Sequence, residues 1–301
     1  MQLTQLRAFA AVAERRHFTR AAGDLGIAQP SLSKQIRNLE DELGTPLFHR
    51  MKGNVTLTPG GETLLPWARR VLADVDTAAS EVRELAGLRR GRLSVGATPS
   101  LSTALLPAAL ARFHGRYPGI EIELTEAGSR DLVSSLEQGA LDLALVILPL
   151  RHAVLETAAL FREELVLAVP RDHPLARRRS VPLAELRDQP FVMFREGYDL
   201  RASTFDACRR AGFTPKLAVE GAEMDGVLRM AAAGIGIAVV PSIVLPADGP
   251  LRMVRLAQPL TRTIGFARRR DRRQSRAAIE LESAVRALVA TPEWTRRVAR
   301  P

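Results

Sequence analysis

Apolar residues recur at helical spacing from residue 3 to 17, where Leu3, Leu6, Phe9, Ala10, Val12 and Ala13 share one face. A second, short helix is predicted from Phe18, with Thr19 as its cap and Gly26 as its break. A third is predicted from about Pro30 to Leu43. Proline suits a first turn, because the N–H it lacks has no partner there, and Gly44 with Pro46 ends the helix. Leu32, Ile36 and Leu39 give this helix one apolar face. The alternating segments PLFHR and NVTLT around MKG then predict a short hairpin.

From residue 58 to 86 the pattern becomes one long amphipathic segment. Leu65, Ala68, Leu72, Val75, Ala79, Val82 and Ala86 follow a 3-4 spacing, and Leu64, Val71, Ala78 and Leu85 flank them at intervals of seven. Pro66 near its start is expected to kink it. Such a seam needs a cover, either the core of the same chain or the matching helix of a second copy. GLRRG, at 87–91, is a charged hinge bounded by glycines.

Beyond the hinge, strands alternate with helices. Strand-like runs are 92–97, 120–126, 141–147 and 164–170, with helices around 101–116 and 129–138. A second set follows, with strands at 191–194, 216–220 and 235–241 and helices near 199–211 and 223–233. Strands at 253–257 and 263–267 and a closing helix complete the chain. This rhythm predicts two α/β halves on mostly parallel sheets, with a cleft between them.

Composition narrows the function. Hydrophobic residues make up 46% and charged residues 25% of the 301, which excludes disorder as the main state. No run reaches the roughly 18–20 apolar residues that a bilayer crossing needs, and charges interrupt the N-terminal segment that resembles a signal peptide, so a cytoplasmic location is expected. One cysteine, Cys208, excludes an internal disulfide and a multi-cysteine metal site. The five histidines show no paired ligand spacing, and no nucleophile elbow or dinucleotide loop is present, so neither a cofactor nor catalysis is expected. The net charge of +10 favours a polyanionic partner, although arginine supplies 40 of the 43 bases and is spread along the whole chain.

The third helix carries the sharper signal. Opposite its apolar face stand Gln29, Pro30, Ser31, Ser33, Lys34 and Arg37. Glutamine can read adenine, lysine or arginine can read guanine, and serine can meet a base or a phosphate. Lys34, Arg37, Arg50 and Lys52 lie where phosphate contacts would hold register. A polar face of this kind is also what any solvated helix shows.

The run from Phe18 to Gly61 closely resembles the winged helix-turn-helix of LysR-type transcriptional regulators. The matching skeleton is Ala21, Ala22, Leu25, Gln29 to Ser33, Ile36, Leu39, Glu40, Leu43, Gly44, Pro46 to Phe48, Arg50, Leu57, Thr58 and Gly60. Further marks are VPRDHPLA at 169–176, PFVMF at 190–194 and GIGIAVVPS at 234–242. The resemblance implies an α + α/β chain in three parts: a DNA-binding domain at 1–58, a linker and dimerisation helix with its hinge at 59–90, and a two-lobed effector domain at 91–301, similar to periplasmic binding proteins. Lobe 1 would hold about 91–163 and 267–301, and lobe 2 about 164–266. It also implies promoter DNA, a small-molecule effector and a homodimer or homotetramer as partners.

In open α/β sheets, ligands sit beyond the carboxyl ends of the strands. Thr98, Ser100 and Ser129 follow two such ends at helix starts, and Arg195 follows a third. Helix N-termini favour anions, and arginine pairs with carboxylates, so the expected effector is a small anion held by Thr98, Ser100, Ser129 and Arg195. The three hydroxyl residues could equally be plain helix caps. A solute-binding or enzymatic protein on the same two-lobed scaffold would explain the second part of the chain but leave the first ninety residues without a purpose.

Overall fold

A computed structural model describes residues 1–51, 54–84, 91–150 and 152–298. The chain divides into two compact units: Met1–Leu85 with Glu137–Ala140, and Ala86–Leu136 with Leu141–Pro301. Lys52 and residues 87–90 of the hinge lie outside the described residues.

In the first unit, α1 (Leu3–Arg15), α2 (Phe18–Asp24) and α3 (Gln29–Leu43) precede a hairpin of β1 (Phe48–Met51) and β2 (Asn54–Leu57) and the long helix α4 (Pro59–Glu84). Leu6, Phe9, Val12, Ala21, Leu32, Ile36, Leu39, Leu47 and Phe48 bury together as one core. The Phe9 and Phe18 rings lie 5.3 and 5.9 Å from that of Phe48. The cap of α2 is His17, whose ring accepts from the Arg20 N–H at 3.4 Å, and not Thr19. Helix α3 ends on Gly44 at φ +67°, a left-handed conformation that costs glycine nothing.

The entry to α4 shows why this segment reads TPGG. The Thr58 hydroxyl donates to the Pro46 carbonyl at 2.6 Å and accepts from the Gly61 N–H at 3.1 Å. A Cβ on Gly61 would sit 2.2 Å from the Leu47 carbonyl oxygen, so the steric demand falls on Gly61 and less on Gly60. Gly61→Ala should therefore destabilise this unit by about 1–3 kcal/mol, the usual cost of overpacking. Urea unfolding checks it, and an unchanged midpoint would mean that the turn relaxes freely.

Helix α4 runs through Pro66 without a break, and its 26 residues make it about 40 Å long. Leu64, Leu65 and Leu72 pack on the core beneath. Further along, Trp67 is 59% exposed and Val82 69%, with Val71 also open.

The second unit is built on strands β3 (Gly91–Ala97), β4 (Ile120–Glu126), β5 (Leu143–Leu148), β6 (Leu155–Pro170), β7 (Ser180–Val181), β8 (Pro190–Phe194), β9 (Lys216–Ala222), β10 (Ala238–Pro241), β11 (Leu251–Leu256) and β12 (Leu260–Arg269). Its helices are α5 (Pro99–Ala104), α6 (Leu106–Arg116), α7 (Ser129–Glu137), α8 (Asp199–Arg210), α9 (Met224–Ala232), α10 (Arg276–Val289) and α11 (Pro292–Val298). In lobe 1, β4, β3 and β5 are parallel, as expected, and β12 runs antiparallel beside β5. Lobe 2 repeats the arrangement: β9 and β8 are parallel, β8 bridges to Ile237, and β10 lies antiparallel to β6. Antiparallel pairs thus hold the centre, where the sequence pattern predicted mostly parallel ones.

Two other expectations change. The helix expected at 101–116 is two helices joined at Leu105, because Pro107 lacks the N–H that would continue the first and its ring would meet the Thr103 carbonyl. The segment 155–163, assigned no element from sequence, is the first half of the 16-residue strand β6. It pairs along its length with β12, with a register shift between Ile264 and Gly265. β6 and β12 thus form one long antiparallel pair within the eight-stranded sheet.

Candidate nucleic-acid interface and ligand cleft

In α3, Leu32, Ile36 and Leu39 are fully buried, which fixes the roll of the helix about its axis. The other face then carries Gln29, Pro30, Ser31, Lys34 and Arg37 exposed, with Ser33 half-buried among them. Gln29 Nε2 donates to Ser33 Oγ at 2.9 Å, so these two side chains form one hydrogen-bonded unit. Arg37 Nε donates back to the Ser33 carbonyl at 3.4 Å. Among the described residues, Lys34 and Arg37 have no acidic partner, whereas Arg15 binds Asp24 at 2.5 Å and Arg7 lies 3.6 Å from Asp76. Lys34 and Arg37 thus leave two unneutralised cations on the polar face of α3, and among the described residues Arg16 and Arg20 elsewhere in the unit are likewise without an acidic partner. Arg50 stands on β1 at the hairpin, paired in register with Val55.

Glu40 anchors the turn that follows α3. Its Oε1 accepts from the Leu47 N–H at 2.9 Å and the Phe48 N–H at 3.4 Å, tying the turn after α3 to the helix. The sequence marked Glu40 as part of a motif without giving this reason.

In the second unit, Thr98, Ser100 and Ser129 do converge. Thr98 and Ser100 line a cavity of about 10 Å³, with Gly128, Tyr198, Asp199 and Arg262. That is room for roughly one water molecule. Ser129, next to Gly128, opens α7. Its hydroxyl accepts from the Ile147 N–H at 3.2 Å and donates to Asp199 Oδ2 at 2.8 Å. The Ser129 N–H points to the same carboxylate oxygen at 3.3 Å. Thr98 is 3% exposed, yet among the described residues its hydroxyl has no hydrogen-bond partner.

Arg195 is placed elsewhere. It is exposed, binds Glu223 at 2.8 Å and lies over the Tyr198 ring at 4.7 Å, on the rim and outside the cavity wall. The arginine that lines the cavity is Arg262, missed from sequence. It pairs in register with Glu163 across the β6–β12 ladder. Its Nε lies 2.9 Å and its Nη2 2.7 Å from Glu163 Oε1, and Nη2 also donates to Ser100 Oγ at 2.7 Å. Both side chains are almost wholly buried, at 6% and 0% exposure. The hydrogen bonds of Arg262 run through Nε and Nη2, and Glu163 Oε2 has no close hydrogen-bond partner among the described residues, although the Ile243 N–H also favours this carboxylate. Burial pushes the Glu163 carboxyl above its ordinary range, although Arg262 pulls it the other way. One sequence signal could have found the pair: Arg262 shares its inward parity with Ile264 and Phe266, and Glu163 shares its own with Leu165 and Leu167.

Cys208 is buried on α8, and burial alone pushes its thiol up to about 11. Among the described residues, no group of three or more His, Cys, Asp or Glu could hold a metal, and no helix is long and apolar enough to cross a membrane.

Residues 3–62 match the bacterial regulatory helix-turn-helix proteins of the lysR family, and residues 86–290 match the LysR substrate binding domain. The chain is 34% identical over 276 residues to the transcriptional dual regulator GltC of Bacillus subtilis, covering 90% of this chain and 92% of GltC. It is 36% identical over 254 residues to a probable hydrogen peroxide-inducible genes activator of Mycobacterium avium, covering 84% and 82% of the two chains. Full-length CbnR, crystallised with its target DNA, superposes at a TM-score of 0.70 with 26% identity, covering 95% of this chain and 99% of that one.

Proposed function

The chain belongs to the LysR family of bacterial transcriptional regulators, and from that premise we propose that it binds promoter DNA through α3 under the control of a small ligand held in the Thr98–Arg262 cleft. Residues 1–58 serve as the DNA-binding module, 59–90 as the dimerising helix and hinge, and 91–301 as the sensor. Gln29, Ser31 and Ser33 enter the major groove, while Lys34, Arg37, Arg50 and Lys52 meet phosphates. A second copy covers the open stretch of α4 around Val71 and Val82 and brings a second α3 to the next groove of a dyad site. The protein acts in the cytoplasm, where its DNA is.

The observation that carries this reading is the polar face of α3, where two cations without acidic partners flank the Gln29–Ser33 unit and three buried side chains hold the helix from behind. Fluorescence anisotropy tests it: the protein should prefer the duplex upstream of its own gene over a scrambled one at moderate salt. Equal affinity for both would remove the reading. Ser33→Ala should reduce that preference by about 1–3 kcal/mol. Because Ser33 holds Gln29, the effects of Ser33→Ala and Gln29→Ala should not add.

Relatives named for hydrogen peroxide raise the question of thiol sensing. Cys208 argues against it here. Peroxide reacts with exposed thiolates of lowered pKa, and this lone thiol is buried with its pKa raised. Millimolar peroxide should leave DNA affinity unchanged and Cys208 unoxidised by mass spectrometry. Rapid sulfenic acid formation on the folded protein would overturn this.

A further inference from the structure

The cleft holds a carboxylate of its own. Asp199 belongs to lobe 2, at the first turn of the 12-residue α8, yet its Oδ2 takes both the N–H and the hydroxyl of Ser129, the first residue of the nine-residue α7 in lobe 1. The loops around these residues are equally close: a Cβ on Gly128 would lie 2.6 Å from the Gly197 carbonyl oxygen. Asp199 thus sits where the positive ends of two helix dipoles meet, a position that favours an anion.

Other donor residues line the same space. Among the described residues the buried Thr98 hydroxyl has no partner, and Arg262, which lines the cavity, spends its Nε and Nη2 on Glu163 and Ser100. The remaining volume, about 10 Å³, admits no ligand larger than water. The lobes are therefore closed over a site that suits an anion, and an anion from the chain itself occupies part of it.

We propose that Asp199 is a tethered internal anion that holds the two lobes together by filling the anion subsite of the cleft, and that the ligand of this cleft is a small carboxylate that displaces Asp199 from Ser129. The proposal rests on the cleft being the sensor site. An incoming carboxylate takes the two Ser129 donors and reaches Thr98 and Arg262 once the lobes part. The Asp199 side chain is then released with α8 and its loop. Ligand binding and lobe opening become one competition between two carboxylates for the same donors, so the ligand's affinity is lowered by the strength of the latch.

The test uses the full-length protein and acetate as the probe, with chloride at equal ionic strength as the control. In the wild type, acetate and chloride should shift the thermal midpoint equally. In Asp199→Ala, acetate should raise the midpoint saturably above chloride, and adding Ser129→Ala should abolish that gain. No acetate-specific gain in Asp199→Ala, or a gain that survives in the double variant, overturns the proposal. Should Asp199→Ala fail to fold, Asp199→Asn keeps the shape and removes the charge. Its Ser129 amide should then exchange hydrogen roughly tenfold faster than in the wild type, and unchanged protection there overturns the latch. Acetate rescue with no effect on DNA affinity would support the latch while removing the sensor reading. Ligand-dependent DNA binding without acetate rescue would overturn the latch and leave the sensor reading standing.

Discussion

Replacing Arg262 by methionine is expected to destabilise the second unit by about 3–5 kcal/mol at neutral pH, because the change leaves the Glu163 carboxylate buried without its cation. The pH dependence follows from the direction of the Glu163 shift. Burial already holds its pKa above the ordinary value, and without Arg262 only the Ile243 N–H opposes burial. A carboxyl whose folded pKa is raised binds its proton more tightly folded than unfolded. Stability is then retained below the ordinary carboxyl range and lost as pH rises through it towards the folded value. The variant should accordingly be nearest to wild type in acid and weakest above neutrality. The double variant Arg262→Met/Glu163→Leu should recover most of the loss, since replacing a whole buried pair by apolar groups is often neutral or better. Urea denaturation of the three proteins from pH 5 to 8 reads this directly. A loss independent of pH, or a double variant no better than the single, would show that the pair is not what holds the β6–β12 ladder.

Neutralising Lys34 and Arg37 together should weaken binding to every duplex alike. In a dimer four phosphate contacts disappear, so the slope of log K against log salt should flatten by about 3.6, at roughly 0.9 per contact. Raising salt fourfold would then cost the variant on the order of a hundredfold less affinity than it costs the wild type. The preference for cognate over scrambled duplex should survive, because Gln29 and Ser33 remain. Anisotropy titrations between 50 and 200 mM salt decide it. A selective loss on cognate DNA alone would move Lys34 and Arg37 from the backbone to the bases.

The first unit was legible from sequence for a physical reason. Its helices are set by neighbours three and four residues apart, and its stops by Gly26, Gly44 and Pro46, so the pattern carries nearly all that is needed. What escaped was steric or long-range. The demand on Gly61 comes from the Leu47 carbonyl, and the role of Glu40 comes from two N–H groups seven and eight residues on. In the second unit, residues 155–163 form a strand only because β12 pairs with them from about a hundred residues away, and their mixed polar pattern gives little sign of it. Arg195 stood out by its place after a strand end, but Glu223 was close enough in space to take it. Arg262 was hidden in an arginine-rich chain, and only its inward parity on β12 distinguishes it. Asp199 drew no notice at all, because its partner is a serine seventy residues away.

The β6–β12 pair has a mechanical consequence. A pair of hydrogen-bonded strands resists stretching and sliding, since either would break rungs, but it twists at little cost. Lobes joined by such a ribbon can turn about its long axis as the two ends of a torsion bar do, with the ladder intact. The register shift at Ile264 and Gly265, where the strands already depart from regular pairing, is the natural point for that rotation to concentrate. Side-chain exchange in the cleft can thus alter the resting angle without altering the spring.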